Sequence, residues 1–138
     1  MTPSSSRPGY AFLVTVLLIG AVASTVVASL LLLAAGTAKN SLAVQESAGA
    51  LDNARSCAER ALYLLRSDGS YAGGDTLSFT LGTCRILTVG GEGNAARTLC
   101  VEGTVGEATR RLEIEIGQLI PTVSISSWRE VPTFSLCS

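Results

Sequence analysis

Hydrophobic and polar positions fall into three regimes along this chain. From Ala11 to Ala35 no residue is charged, and large aliphatic side chains recur on every helical face. A helix of these 25 residues would rise about 37 Å at ~1.5 Å per residue, more than the ~30 Å hydrocarbon core of a bilayer. The run is also too long for the h-region of a secretory signal, which spans about 7–15 residues. Small residues (Gly20, Ala21, Ala23, Ser24, Thr25, Ala28, Ser29) interrupt its Leu/Val stretches. Small side chains let helices approach closely where apolar burial alone gives no drive.

The second regime follows without a proline. In NSLAVQESAGALDNARSCAERALYLLRS, Leu51, Ala54, Ala58, Ala61, Leu62 and Leu65 recur at three and four residues, the stripe of an amphipathic helix. Cys57 lies beside that stripe. Gln45, Glu46, Asp52, Arg55, Glu59, Arg60 and Arg66 supply the wet faces. Ser67-Asp68-Gly69-Ser70 ends the pattern, with glycine as the expected stop. One long helix, or two nearly collinear ones, is predicted over 11–66.

From Thr76 the period becomes two. Strands are predicted at Thr76–Leu81, Cys84–Val89, Ala96–Val105 and Ala108–Ile116, with turns at Gly82-Thr83, Gly90–Asn94 and Gly106-Glu107. The clearest alternation is Leu112-Glu113-Ile114-Glu115-Ile116, apolar inward and acidic outward. Pro121 is expected to end an antiparallel meander at about 117, leaving 118–138 as a tail that carries Ile125, Trp128, Val131 and Phe134. The fold class is therefore α+β, a long helix packed on a small antiparallel β-sheet.

Composition narrows the chemistry. Net charge is −1, and nine basic against eleven acidic residues follow the apolar run. That balance does not favour nucleic acid. Arg110-Arg111, the one basic doublet, reads as solvated strand-edge charge. The chain has no histidine, which removes the commonest general base and zinc ligand. Asp68 and Asp75 do not match a calcium loop, and Gly90-Gly91-Glu92-Gly93 lacks the strand-to-helix context and lysine of a phosphate loop. No catalytic set, metal or cofactor is expected. Trp128 and Phe134 are expected to pack on the sheet, with an exposed adhesive patch as the alternative.

Cys57, Cys84, Cys100 and Cys137 form no C-x-x-C. An even count after an export-type segment reads as two disulfides in an oxidising compartment. Arg7 before the run, together with the cysteines, puts the N-terminus in the cytoplasm and the rest across the membrane. The sheet phase favours one of three pairings. Leu99 and Val101 face inward, so Cys100 faces outward and can meet Cys137 in a tail folded over the outer face. Cys57 and Cys84 are then left to pair. Sequence alone does not fix the choice.

The layout of leader, glycine, aromatic residue, uncharged helix, amphipathic continuation and cysteine-bearing sheet resembles type IV pilin-like proteins, the type IV pilins and type II secretion pseudopilins. The motif that carries the resemblance is Arg7-Pro8-Gly9-Tyr10 and the run behind it. The resemblance implies a leader at 1–9, cut between Gly9 and Tyr10 by a prepilin peptidase, with Tyr10 as the N-methylated first residue. It implies a membrane and filament-core helix at 10–38 and an extracytoplasmic domain at 39–138. It also implies inner-membrane insertion followed by a cell-surface filament, with other pilin-like subunits and the assembly machinery as partners. One position departs from the family: its glutamate at the fifth mature residue is Val14 here, as in some minor or tip subunits. Two rival readings remain, an anchored envelope binding protein that never polymerises and a secreted domain cleaved near Gly36. An enzyme ranks behind both.

Overall fold

The computed structural model describes residues 8–137. The expected leader, with Arg7, lies mostly outside the described residues. Among the described residues a single helix, α1 (Pro8–Ser67), is followed by five strands: β1 (Thr76–Phe79), β2 (Gly82–Ile86), β3 (Ala95–Val105), β4 (Ala108–Gln118) and β5 (Ser124–Val131). The strands form one antiparallel sheet in sequence order. The fold is thus α+β. The chain divides into two compact units, Met1–Ser41 and Leu42–Ser138.

In the second unit the alanine-rich side of α1 packs on the sheet. Ala54, Cys57, Ala58, Ala61 and Leu65 meet Cys84, Ile86, Leu99, Val101, Leu112, Ile114 and Ile116 in one buried cluster. The small helix side chains bring the two backbones close together. Gly103 on β3 sits where a Cβ would lie 2.6 Å from the Ala54 amide nitrogen and overlap the Ala50 carbonyl oxygen. No side chain fits there.

The helix ends where expected, by a different device. Gly69 is absent from the glycines that adopt positive φ. Instead the Asp68 carboxylate accepts from the Ser70 N–H at 2.9 Å, and the Asp68 N–H donates to the Leu64 carbonyl at 2.8 Å. A side-chain oxygen that mimics a backbone turn favours chain reversal.

Three strand assignments differ from the sequence prediction. The first turn is Thr80-Leu81, not Gly82-Thr83, because Phe79 pairs directly with Gly82. Gly82 has φ +101°, and a side chain there would strike the Thr104 carbonyl; only glycine permits so tight a return. The second strand stops at Ile86 rather than Val89. The tail is not irregular, since Ser124–Val131 adds a fifth strand on β4. Ile116 pairs with Ile125 and Glu115 with Ser127, so Ser126 is an extra, bulged residue. Ile125 and Trp128 therefore share a face three residues apart, which hides the period of two.

Arg97 lies in the inward phase of β3 with Leu99 and Val101, and it is buried. Its guanidinium donates to the carbonyls of Gly90, Gly69, Gly93 and Tyr71 at 2.9–3.4 Å. One side chain thus ties the helix exit to the β2–β3 loop. The charge is met by four carbonyl dipoles rather than by a carboxylate.

Gly103→Val should lower the stability of the sheet-bearing unit by about 3 kcal/mol, the upper part of the overpacking range. Thermal unfolding of the full chain in detergent, followed by Trp128 fluorescence, checks this. An unchanged midpoint would contradict the close helix–sheet approach.

Candidate functional site

The first candidate surface is the N-terminal part of α1. Phe12, Leu13, Val16, Leu17, Leu30 and Leu32 are each more than half exposed. The most apolar 18-residue window of the helix has mean hydropathy 2.6 and none of it is buried. By length and composition this helix can cross a membrane. Its hydroxyl groups do not oppose that. Thr15, Ser24, Thr25, Ser29 and Thr37 each donate to a carbonyl three or four residues earlier, at 2.7–2.9 Å. Backbone and side-chain polar groups are both satisfied within the helix, the condition for a segment surrounded by hydrocarbon.

Gly9 and Tyr10 occupy the first turn of α1. Tyr10 is exposed, and nothing lies within 4 Å of the position a Gly9 Cβ would take. The first N–H groups of a helix lack intrahelical acceptors, and helix ends fray. Among the described residues, nothing crowds the Gly9–Tyr10 bond. Val14 lies one turn further on and carries no charge into this segment.

The second candidate is the outer face of the sheet, which the cysteines organise. Cys57 is bonded to Cys84 and Cys100 to Cys137, each with Cα atoms 6.2 Å apart. The first bond joins α1 to β2 through the core. The second joins β3 to the C-terminal segment, which crosses the face opposite the helix. These are the pairs that the sheet phase favoured among the three possible.

Glu113 lies on that outer face, as its alternation with Leu112 and Ile114 predicts, yet it is buried. The C-terminal segment covers it. Its carboxylate accepts from the N–H groups of Ser135 and Leu136 and from the Ser135 hydroxyl, and Arg129 stands 3.7 Å away. Burial pushes the Glu113 carboxyl upward. The Leu136 and Ser135 N–H groups, the Ser135 hydroxyl and Arg129 outweigh that and hold it below its ordinary value.

Arg110 and Arg111 are not simply solvated. Arg110 donates to the Ser47 hydroxyl on α1 and, at 2.6 Å, to Glu130. Arg111 bonds Glu102 at 2.6 Å and the Pro132 carbonyl at 2.9 Å, and its guanidinium lies 5.9 Å from the centre of the Phe134 ring. Trp128 pairs with Ile114, in the helix-facing phase, and stays 39% exposed, whereas Phe134 lies beneath Arg111 on the outer side. The two aromatics do not form one patch. Sequence reasoning missed Arg97 and the clamp on Glu113. The signal for Arg97 was an arginine in the inward phase of a strand. For Glu113 it was a strand acid directly opposite a cysteine.

The other acidic candidates are internally occupied. Asp68 accepts from Ser70, and Asp75 accepts from the Tyr71 hydroxyl at 2.7 Å. Desolvation, then the neighbouring Asp75, pushes the Tyr71 phenol up to about 12. Among the described residues, no three His, Cys, Asp or Glu side chains gather as metal ligands.

Acid should loosen the C-terminal segment. A carboxyl whose folded pKa is depressed contributes stability that is complete above its ordinary value of 4.5 and is lost as pH falls through the folded value. Protection of the Ser135 and Leu136 amides against hydrogen exchange should therefore decline as pH falls below 4.5, while β3 and β4 amides stay protected. Constant protection factors at Ser135 and Leu136 down to pH 2 would contradict the clamp.

Comparison with known proteins returns no match: no family model, no curated protein and no solved structure matches this chain.

Proposed function

We propose that this protein is a structural subunit of a type IV pilus-like or pseudopilus filament. Its apolar helix holds it in the inner membrane until assembly and then lies in the filament core. The observation that carries the reading is one unbroken helix with two different surroundings. Over Ala11–Ala35 it is uncharged and exposed; from Ala50 it is buried against a disulfide-bearing sheet. A plain anchor has no need to continue into the folded domain as its central element. A filament subunit does, because the same rod must transmit assembly contacts to the part it carries. The apolar surface is traded from lipid to sibling helices and stays out of water at each stage. Small residues at Gly20, Ala21, Ser24 and Ala28 suit close helix–helix approach.

In this reading prepilin peptidase cuts after Gly9, Tyr10 becomes the N-methylated first residue, and the sheet faces outward. Val14 supplies no carboxylate to pair with a neighbouring terminal amine, which favours a minor or tip position. A carboxylate near the centre of a span costs about 2.5–3.5 kcal/mol, so its absence also suits the second reading, an anchored envelope binding protein that never polymerises.

Intact-mass and N-terminal analysis of native material separates these readings. A chain beginning with methylated Tyr10 is expected, and Gly9→Leu should leave it uncut and unassembled. A native chain that begins at Met1 and remains monomeric in the membrane would sink the filament reading. A start near Thr37 would sink both readings and point to a secreted domain.

A further inference from the structure

Residues 132–137 lie as a strap across the outer face of β3 and β4, and the side chains of these strands contact it in order. Arg111 takes the Pro132 carbonyl and the Phe134 ring. Glu113 takes the Ser135 and Leu136 N–H groups and the Ser135 hydroxyl, at 2.9 Å for Leu136. Cys100 takes Cys137. Glu113 and Cys100 are direct cross-strand partners, and such partners hold their Cβ atoms about 4.5–5.5 Å apart. The carboxylate that binds the strap thus stands beside the sulfur that bonds it.

This arrangement bears on a choice the chain must make. The bonded pairs are 27 and 37 residues apart, whereas Cys84 and Cys100 are separated by only 16. Loop closure alone favours the shorter, wrong pair. The sheet, once formed, turns Cys84 to the helix-facing side, but something must still bring Cys137 to Cys100. A docked segment does this, because it converts an encounter between distant residues into a reaction between neighbours.

We propose that Glu113 is a positioning residue for closure of the Cys100–Cys137 bridge: it captures the Ser135 and Leu136 amides and delivers the Cys137 thiol to Cys100. The step is an ordinary oxidation. Two thiols give up two protons and two electrons to a disulfide oxidant, which becomes two thiols, and one S–S bond forms. Arg111 steers the Pro132–Phe134 end of the strap, and Arg129 adds positive charge near the carboxylate. The clamp acts on this bridge alone, since Cys57–Cys84 lies on the opposite, helix-facing side.

The full chain in detergent micelles provides the test. It is equilibrated in reduced and oxidised glutathione, its free thiols are alkylated, and its tryptic peptides are analysed. Cleavage after arginine leaves each cysteine in its own peptide: 56–60, 67–85, 98–110 and 130–138. Each bridge, native or not, is therefore read separately. Glu113→Gln keeps the shape but loses the charge and half of the acceptors. Its Cys100–Cys137 bridge should show an effective concentration at least about tenfold below wild type. Cys57–Cys84 should stay within about twofold. Ser135→Ala, which keeps both strap amides, should give a smaller drop at the same bridge. An unchanged Cys100–Cys137 equilibrium in Glu113→Gln would overturn the proposal. So would a parallel fall of both bridges, because that would make Glu113 a general support of the fold.

Discussion

The constraint on which the rest depends is that a large apolar rod must never meet water. Fourteen large hydrophobic side chains between Phe12 and Leu33 are exposed. Covering a side chain of this kind is worth about 1.5–3 kcal/mol, so the segment as a whole represents on the order of 20–40 kcal/mol. A domain of this size has a total stability of roughly 5–15 kcal/mol. No rearrangement inside the chain could offset exposure of that surface. Lipid or other helices must cover it, and the proposed function is a sequence of two such covers.

The sheet-bearing unit answers a complementary problem. Its core is thin, because the helix offers alanines where other helices offer leucine, and the sheet is a single layer. Close approach compensates. Gly103 admits the helix backbone, and Cys57–Cys84 ties the two layers where they meet. On the far face, among the described residues, no helix covers the sheet. The six-residue strap from Pro132 to Cys137 does so instead, held by charge, aromatic contact and a covalent bond. Both layers on either side of the sheet are thus held by a disulfide reaching a different face of it, which the alternation along the strands makes possible.

Buried charge is handled in two opposite ways. Arg97 is surrounded by four carbonyls and Glu113 by N–H and O–H donors. Each ion replaces its lost water with backbone dipoles rather than with a full partner charge, apart from Arg129 at the edge of the Glu113 site. Such groups satisfy chain ends that would otherwise be orphaned: the helix exit and the β2–β3 loop in one case, the C-terminal strap in the other. They also specify which loop goes where, a role that a purely apolar contact could not fill because it lacks direction.

Periodicity made the helix, the α+β class, the β3–β4 hairpin and the uncharged run readable from the chain alone, because those features follow from nearest-neighbour geometry and from transfer out of water. The phase of β3 also turned Cys100 toward the outer face. Position in space decided the remainder. Ile125 and Trp128 share a face only because Ser126 bulges, Gly82 begins a strand only because β3 passes beside it, and Glu113 is buried only because the strap returns over it. Each of these depends on which distant segment lies alongside. A local pattern carries the direction a side chain points in, but not the identity of what comes to meet it.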